Sequence, residues 1–129
     1  MRTYNPTLLR PHDPTSATWA LMWARNLARD VPVGDAWRPG GLEDEEWLGW
    51  LEATAIRLGG STYYRPHEAA ARAIRSDPTR LRALALAGVS QDYPDPNAVA
   101  AAIRAEGRWI DDLIADLTGV RPAELAPRF

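Results

Sequence analysis

The residues able to bind a metal or transfer a proton are few, and their spacing favours structural roles. His12 and His67 each stand beside a single carboxylate, neither has a second histidine at metal-binding spacing, and the chain has no cysteine. The consecutive acidic residues Glu43 to Glu46 point in different directions on a helix, so they cannot converge on one cation. Residues 59–62 lack the lysine and the spacing of a phosphate-binding loop. The sequence therefore predicts no catalytic residue, no cofactor and no metal site.

The composition describes one globular domain without a strong electrostatic preference. The chain has 129 residues, of which 46% are hydrophobic, which is enough for a real core. The net charge of −2 gives no overall basic field for nucleic acid or acidic membranes. Every basic residue is arginine and there are 6 tryptophans, which are residue types enriched at protein interfaces. The sequence has no apolar run of the roughly 18 residues that are needed to span a bilayer, and it has no apolar secretory segment. We therefore expect a cytoplasmic protein.

Apolar spacing and stop signals predict that helices dominate the first half of the chain. Thr15 or Ser16 provides a cap for the first helix, and the glycine pair provides an end for the second. Apolar residues at helical spacing, including Trp47, Leu51 and Leu58, form one face of the second helix, and Ile56 points away from that face. The predicted order is an extended arm (1–14), a helix from about Ser16 to Arg29, a loop (31–41), a helix from about Leu42 to Gly59–Gly60, and a helix from about Arg65 to Ser76.

The second half is predicted to end in one long helix. A short helix from Asp77 to about Ala87 is followed by an insert, 88–95, with weak strand-like alternation. The last helix then runs from about Pro96 to Leu117 with Asp95 as cap, and Gly119 ends it. The predicted fold is all-α, a small bundle of about four to five helices with a short loop or hairpin insert before a long C-terminal helix. The predicted units are an N-terminal arm plus helix (1–41), a helical core (42–118) and an extended C-terminal arm (119–129).

Glu106 is an unusual residue in the predicted last helix. By helical angle it lies within the apolar face, between Ile103 and Ile110. An isolated buried carboxylate is costly, so we expect an ion pair with an arginine or His67, within the chain or across a subunit boundary. Alternatively, this stretch is open to water between packed subunits. A third role, as a catalytic acid, would need a second catalytic residue, and the sequence names none.

Residues 80–93 resemble the first helix and turn of a helix-turn-helix DNA-binding motif. The segment that would form the recognition helix contains Pro94 and Pro96, which disrupt a helix interior. Asp92 and Asp95 would meet phosphates with the wrong sign of charge. A small nucleic-acid-binding regulator is therefore the alternative function. A small enzyme is a third hypothesis, which would need a pocket of convergent polar groups.

The order of features from about Leu42 to Leu117 resembles the head–tail adaptor proteins, also called connector or head-completion proteins, of long-tailed bacteriophages. That family has an acidic helix ending in glycine or aspartate, a large residue followed by an alanine-rich helix, a short insert, and a terminal helix. The corresponding residues here are Glu43–Glu46, Gly59–Gly60, Tyr63–Tyr64, Ala69–Ala71, Ala87–Tyr93 and Asn97–Leu117. The chain departs from the family at Pro94 and Pro96, where Ser or Asp is usual after the tyrosine, and the resemblance does not cover the first 40 or so residues.

The resemblance implies a structural virion protein in the neck between head and tail. Such a subunit forms a homo-oligomeric ring, commonly of twelve copies, which joins the portal protein to the tail and continues the DNA channel. It receives a stopper or tail-completion protein, and DNA passes through without sequence-specific binding. The family has no catalytic residues, it requires no membrane, and its members are present in the host cytoplasm during assembly.

Under this hypothesis, the candidate interface residues lie in three places. The C-terminal arm, Val120 to Phe129, would dock on a neighbour or on the portal, and the insert, Gly88 to Asp95, would project toward another ring component. Trp109, at the edge of the apolar face, would cover a subunit boundary. The candidates are Tyr4, Leu8, Gly88, Val89, Tyr93, Glu106, Trp109, Val120, Arg121, Leu125, Arg128 and Phe129.

Overall fold

A computed structural model of the chain describes residues 1–77 and 95–122. This part is largely helical, as predicted, and it also contains two short β-hairpins that were not predicted. The predicted helix after Asp77 and most of the insert lie outside the described residues. The helices are α1 (Ala17–Ala28), α2 (Asp44–Thr54), α3 (Pro66–Ser76), α4 (Pro96–Glu106) and α5 (Arg108–Thr118), and the strands are β1 (Pro32–Val33), β2 (Ala36–Trp37), β3 (Ile56–Leu58) and β4 (Ser61–Tyr63).

Helix α3 lies at the centre of the described fold, in contact with α1, α2 and α4. Four of its alanines, Ala69, Ala70, Ala71 and Ala73, are buried. Because alanine has a small side chain, neighbouring helices can approach α3 closely on more than one side. The same core includes Trp19 and Leu27 from α1. The buried core thus runs across the boundary predicted at residue 41.

The predicted bounds of α1 and α3 agree with the structure. Ser16 caps α1, where its hydroxyl oxygen accepts a hydrogen bond from the backbone N–H of Trp19 at 3.2 Å. Pro66 is the first residue of α3, a position where its missing N–H costs no helical hydrogen bond. Helix α4 begins after Asp95, whose side chain accepts from the backbone N–H of Ala98 at 2.9 Å.

The second predicted helix is shorter than expected, because its last residues form a β-hairpin. Helix α2 ends at Thr54, and β3 pairs antiparallel with β4 so that Leu58 is opposite Ser61. Gly59 and Gly60 are therefore a two-residue hairpin turn rather than the end of a helix. Their φ angles of +58° and +80° suit a turn that glycine adopts without strain. Ile56, predicted to point away from the core, is half-buried against it.

A second small hairpin lies in the segment predicted to be a loop (31–41). Strand β1 pairs antiparallel with β2, with Pro32 opposite Trp37. Its turn contains Gly34, whose φ of +63° lies in the left-handed region. This hairpin connects α1 to α2.

The single long C-terminal helix was a wrong prediction, because the helix is interrupted at Gly107. Helix α4 ends at Glu106 and α5 begins at Arg108. A Cβ atom at position 107 would lie 2.1 Å from the Cβ of His67, so only glycine permits this contact with α3. The close approach explains the glycine, and the backbone turns at the same residue. Gly119 ends α5 with a φ of +77°, as predicted.

Both predicted arms fold back on the body over their described lengths. Residues 1–14, here called the N-terminal strap, contain one 3-10 turn, Pro6–Leu9. The carbonyl oxygens of Met1 and Pro14 accept hydrogen bonds from the backbone N–H groups of Asp44 and Tyr64 at 2.8 and 2.7 Å. At the other end of the chain, Pro122 is fully buried. The first residues of the predicted C-terminal arm therefore pack on the body, and 123–129 lie outside the described residues.

Candidate functional site

Two charged side chains, Arg25 and Asp30, are completely buried. Arg25 Nη1 donates to Asp30 Oδ2 at 2.7 Å and to the Leu42 carbonyl oxygen at 2.9 Å. Its Nη2 donates to Asp44 Oδ1 at 2.6 Å. These three ionised residues, Arg25, Asp30 and Asp44, are called the Arg25 cluster below.

The end of α1 places Asp30 in this cluster. Arg29 takes the left-handed conformation, with a φ of 61°, at the C-terminus of the helix. The chain therefore turns back, and the backbone N–H of Asp30 donates to the Arg25 carbonyl oxygen at 2.8 Å. Gly41 packs so closely that a Cβ there would lie 2.2 Å from Asp30 Oδ1. The local backbone thus aims the carboxylate inward.

Asp30 also ties the end of α1 to α2. Its Oδ2 accepts from the backbone N–H of Leu42 at 2.9 Å and from Trp47 Nε1 at 2.8 Å. The Arg25 guanidinium lies 4.9 Å from the centroid of the Trp37 ring, within cation–π distance. Arginine does not lose its proton in proteins, so the cluster serves to join structural elements. Arg25 Nε and Asp30 Oδ1 are buried without a hydrogen-bond partner among the described residues.

The third member of the cluster, Asp44, lies at the edge of the buried region. Burial raises the pKa of its carboxyl, but hydrogen bonds from Thr3 and Arg25 outweigh burial and hold the pKa below its ordinary value. Asp44 therefore stays ionised beside Arg25. The acidic first turn predicted to be solvated thus includes Asp44, which pairs with a buried arginine.

A second set of ionisable residues joins α3 to α5. Arg65 donates two parallel hydrogen bonds to Asp111, from Nε to Oδ1 at 2.9 Å and from Nη2 to Oδ2 at 3.0 Å. His67 Nε2 lies 3.1 Å from Asp111 Oδ2. Neither ring nitrogen of His67 forms a well-oriented hydrogen bond with a described residue, so this is a close polar contact. Arg65, His67 and Asp111 are called the Asp111 cluster below.

The Asp111 cluster contains the residue types of a catalytic acid–base pair, but these side chains are shielded from solvent and already engaged with one another. His67 is only 1% exposed, and Asp111 is held by two hydrogen bonds from Arg65. Burial raises the pKa of Asp111, but the contacts with His67 and Arg65 outweigh burial and hold the pKa well below its usual range. Asp111 is thus a stable carboxylate anchor for α5.

Glu68, in the first turn of α3, fastens α4 in a similar way. Arg104 donates to its two carboxylate oxygens at 3.0 and 2.9 Å, and Arg72 Nε donates at 3.3 Å. Burial raises the pKa of Glu68, but these arginines outweigh it and lower the pKa overall. The start of α3 therefore fixes both halves of the interrupted C-terminal helix on either side of Gly107.

Four rings, of His12, Trp19, Trp23 and Trp109, pack together as an aromatic cluster. The centroid of His12 lies 4.6 Å from that of Trp109, and Trp23 lies 5.0 Å from Trp109. The indole N–H groups of Trp19 and Trp23 both donate to the Leu9 carbonyl oxygen, at 3.1 and 3.0 Å. This cluster joins the strap, α1 and α5.

The aromatic cluster changes the meaning of the tryptophan content. Trp47 is buried in the core, and Trp50 packs against it. Trp37 lies against Arg25, as described above. All 6 tryptophans therefore take part in packing within the chain. Their abundance, which suggested interfaces, is explained by internal contacts.

The structure shows mixed outcomes for the predicted interface residues. Glu106 forms the expected ion pair, with Arg29 at 3.3 Å, but it is 53% exposed and not buried. Because the chain bends at Gly107, the helical angle that placed Glu106 on the apolar face does not hold. Trp109 belongs to the aromatic cluster and remains half-exposed, so a subunit contact there stays a prediction.

The candidates near the chain ends make contacts within the chain. The Tyr4 hydroxyl accepts a hydrogen bond from Asn26 Nδ2 at 3.1 Å, whereas Leu8 is exposed. Val120 is half-buried, and Arg121 forms a surface ion pair with Asp112 at 3.0 Å. The remaining candidates, Gly88, Val89, Tyr93, Leu125, Arg128 and Phe129, lie outside the described residues, as does the whole of the helix-turn-helix-like segment 80–93.

Sequence reasoning missed the Arg25 cluster. Arg25 has a signal of burial, since Leu21, Met22 and Ala28 occupy the same side of α1 three and four residues away. Asp30 has no comparable signal, because it follows the helix and precedes a loop rich in glycine and proline. Its burial depends on the left-handed residue before it and on the distant Leu42 and Trp47.

Searches for other kinds of site and for relatives were negative. Across 1–77 and 95–122, histidine, aspartate and glutamate side chains do not come together in a group of three able to hold a metal ion. In the same residues, every helix is too short or too polar to cross a lipid bilayer. Comparisons with family models, with curated proteins and with solved structures gave no match to this chain.

Proposed function

We propose that this chain is a structural subunit of a bacteriophage neck, a head–tail adaptor that forms a ring between portal and tail. The observation that carries the proposal is the order of elements from Glu43 onward. An acidic helix start, a glycine pair, a tyrosine pair and an alanine-rich helix follow in the order given for the adaptor family, except that the glycines here form a hairpin turn after the helix rather than its end. In this chain the alanine-rich helix is α3, the centre of the described fold.

The use of charged residues supports a structural role. The buried ionised residues Arg25, Asp30 and Arg65 each contact an oppositely charged side chain on another part of the fold. Side chains held in this way keep elements in register. A subunit that transmits contact between two assemblies needs such fixed internal geometry.

The overall charge supports the passage of DNA without tight binding. Tight, sequence-independent binding of duplex DNA depends on many arginine or lysine contacts to phosphates. The net charge is −2, and several arginines, including Arg65 and Arg104, are engaged with carboxylates within the chain. A ring of such subunits suits a channel through which DNA slides.

Native mass spectrometry of the purified chain, alone and mixed with the portal protein encoded by the same genome, tests the proposal. We expect a complex that contains the portal ring and a matching ring of this chain. If the chain does not bind the portal but binds duplex DNA with an affinity that falls steeply with salt, the regulator hypothesis replaces the proposal. Loss of that DNA binding on changing Arg80 and Arg82 would assign it to the helix-turn-helix-like segment.

Truncation after Pro122 tests the role proposed for the C-terminal arm. Because Pro122 is buried and Arg121 pairs with Asp112, removing only 123–129 leaves the described contacts intact. We expect at least a tenfold loss of affinity for the portal with little change in the free energy of unfolding. The Asp35→Ala variant is the control, since it changes an exposed side chain outside the candidate interface residues. Unchanged portal binding by the truncated chain contradicts the role of the arm.

A further inference from the structure

The N-terminal strap is held mainly by backbone and polar contacts. Among its side chains only Pro14 is buried, whereas Arg2, Tyr4 and Leu9 are half-buried and the others are exposed. Thr3 donates from its backbone N–H to Asp44 Oδ1 at 2.9 Å, and the backbone N–H of Asn5 lies 3.2 Å from Met22 Sδ. A segment that buries so few side chains separates from the body at low cost, so we expect it to open locally.

The surface beneath the strap must nevertheless be covered. We call it the strap groove, and it consists of Trp19, Met22, Trp23, Asn26 and Asp44. The two indole N–H groups share the Leu9 carbonyl oxygen as acceptor, and Trp19 is only 3% exposed. Removal of the strap would expose apolar rings and leave both donors without this acceptor. The groove therefore selects a segment with the chemistry of the strap itself.

Within the strap, a short exposed segment separates residues 1–9 from a fixed anchor. Residues 10–13 are all exposed. Beyond them, the Asp13 carbonyl oxygen accepts from the backbone N–H of Ser16 at 3.0 Å, and the Pro14 carbonyl oxygen accepts from Tyr64 at 2.7 Å. The chain is thus secured at His12, whose ring packs against Trp109, and from Asp13 onward. Residues 1–9 can therefore leave the body by breaking only their own contacts with it.

We propose that residues 1–9 of one copy occupy the strap groove of a second copy of this chain when the ring assembles. The inference rests on the proposed function, because it names the contact that joins neighbouring subunits. An exchanged strap makes the same groove contacts as a closed one, so protein concentration and the geometry of residues 10–13 decide between the two forms. Strap and groove are different surfaces, so head-to-tail exchange is a heterologous contact, the kind from which a cyclic ring is built when the rotation between neighbours closes.

Single-cysteine variants provide a direct test, since the chain has no cysteine of its own. Thr3→Cys and Asp44→Cys are purified separately, mixed in equal amounts, incubated with the portal protein and oxidised. We expect a disulfide-linked heterodimer on a non-reducing gel, at least tenfold above the amount from Thr3→Cys mixed with Asp35→Cys. Asp35 is the matched control because it is an exposed carboxylate in the turn between β1 and β2.

Two further variants keep the test decisive. A chain carrying both Thr3→Cys and Asp44→Cys must form an internal disulfide when dilute, which shows that the pair is well placed. Asn5→Cys mixed with Met22→Cys repeats the experiment without changing Asp44, whose loss weakens the Arg25 cluster. Heterodimer from both mixed pairs supports the proposal.

The outcomes separate this inference from the proposed function. A ring on the portal with cross-linking no greater than that of the Asp35→Cys control overturns strap exchange and leaves the adaptor role intact. Cross-linked heterodimer in the mixture, without any binding to the portal, supports exchange between copies and argues against the adaptor role.

Discussion

The Arg25 cluster and the Asp111 cluster both hold helices together through ion pairs, but they differ in span and in exposure. The Arg25 cluster joins residues 5 and 19 positions apart, and Arg25 and Asp30 are both 0% exposed. The Asp111 cluster joins residues 46 positions apart, and its carboxylate is 18% exposed. The first cluster locks a local turn in a dry interior, whereas the second fixes the position of a distant helix near water.

This difference predicts different costs when a carboxylate is removed. A buried charge that loses its partner has no water to replace it, whereas a partly exposed one regains some hydration. The Arg25 cluster should therefore be the less tolerant of the two. Three substitutions test this comparison, in decreasing order of expected effect.

Asp30→Ala should be the most damaging change. It leaves Arg25 buried with a weakened set of partners and removes the acceptor for Leu42 and Trp47. We expect a loss of about 3–5 kcal/mol in the free energy of unfolding, measured by urea denaturation. Asp35→Ala, at an exposed turn, is the control and should change the free energy by less than about 0.5 kcal/mol. A loss below about 1 kcal/mol for Asp30→Ala would show that the Arg25 cluster is not a structural lock.

Asp111→Asn should cost less, about 2–3 kcal/mol at pH 7, because the amide keeps one acceptor for Arg65 and the site is partly hydrated. Its neighbour Asp112→Asn, which loses only the surface pair with Arg121, should cost less than about 0.5 kcal/mol. Urea denaturation at neutral pH compares the two variants. Equal effects would mean that the Asp111 cluster contributes no more than a surface pair.

The stability of the Asp111→Asn variant, measured as a function of pH, tests the Asp111 cluster further. The pKa of Asp111 is lower in the folded chain than its unfolded value of about 3.9, so its contribution to stability is present above that pH. It is lost as the pH falls through the folded pKa. The stability difference between wild type and Asp111→Asn should therefore shrink below about pH 4. A difference that stays constant down to pH 2 would contradict the lowered pKa.

Gly107→Ala tests the contact between the Asp111 cluster and the break in the C-terminal helix. The added Cβ would lie 2.1 Å from the Cβ of His67, so α3 or α4 must shift, at a cost of about 1–3 kcal/mol. Gly49→Ala is the matched control, since nothing lies within 4 Å of its Cβ position in α2. That change should stabilise the chain by about 0.5–1 kcal/mol. A stabilising effect of Gly107→Ala in thermal denaturation would mean that the break does not depend on this contact.

The sequence correctly predicted the elements that depend on contacts between residues close together in the chain. Ser16 as the cap of α1 and Pro66 as the first residue of α3 are set by contacts within one turn, and both were predicted. The hairpin around Gly59–Gly60 was missed because a glycine pair after an apolar stripe also suits a helix end. The alternation across Ile56–Leu58 and Ser61–Tyr63 is too short to outweigh that pattern.

Long-range contacts could not be predicted in the same way. The interruption at Gly107 depends on His67, a residue of another helix, while the seven-residue spacing from Ile103 to Ile110 suggests one continuous helix. The burial of Asp30 depends likewise on Leu42 and Trp47. For the interface residues, the sequence named candidates at the chain ends, and the described ends make contacts within the chain.

The proposal that this chain is a structural part joining head to tail is tested most directly by deleting its coding sequence from the genome that encodes it and examining the particles produced by electron microscopy. We predict DNA-filled or leaking heads separated from complete tails, with normal virions restored when the intact chain is supplied. Intact tailed virions in the absence of the chain would contradict the claim.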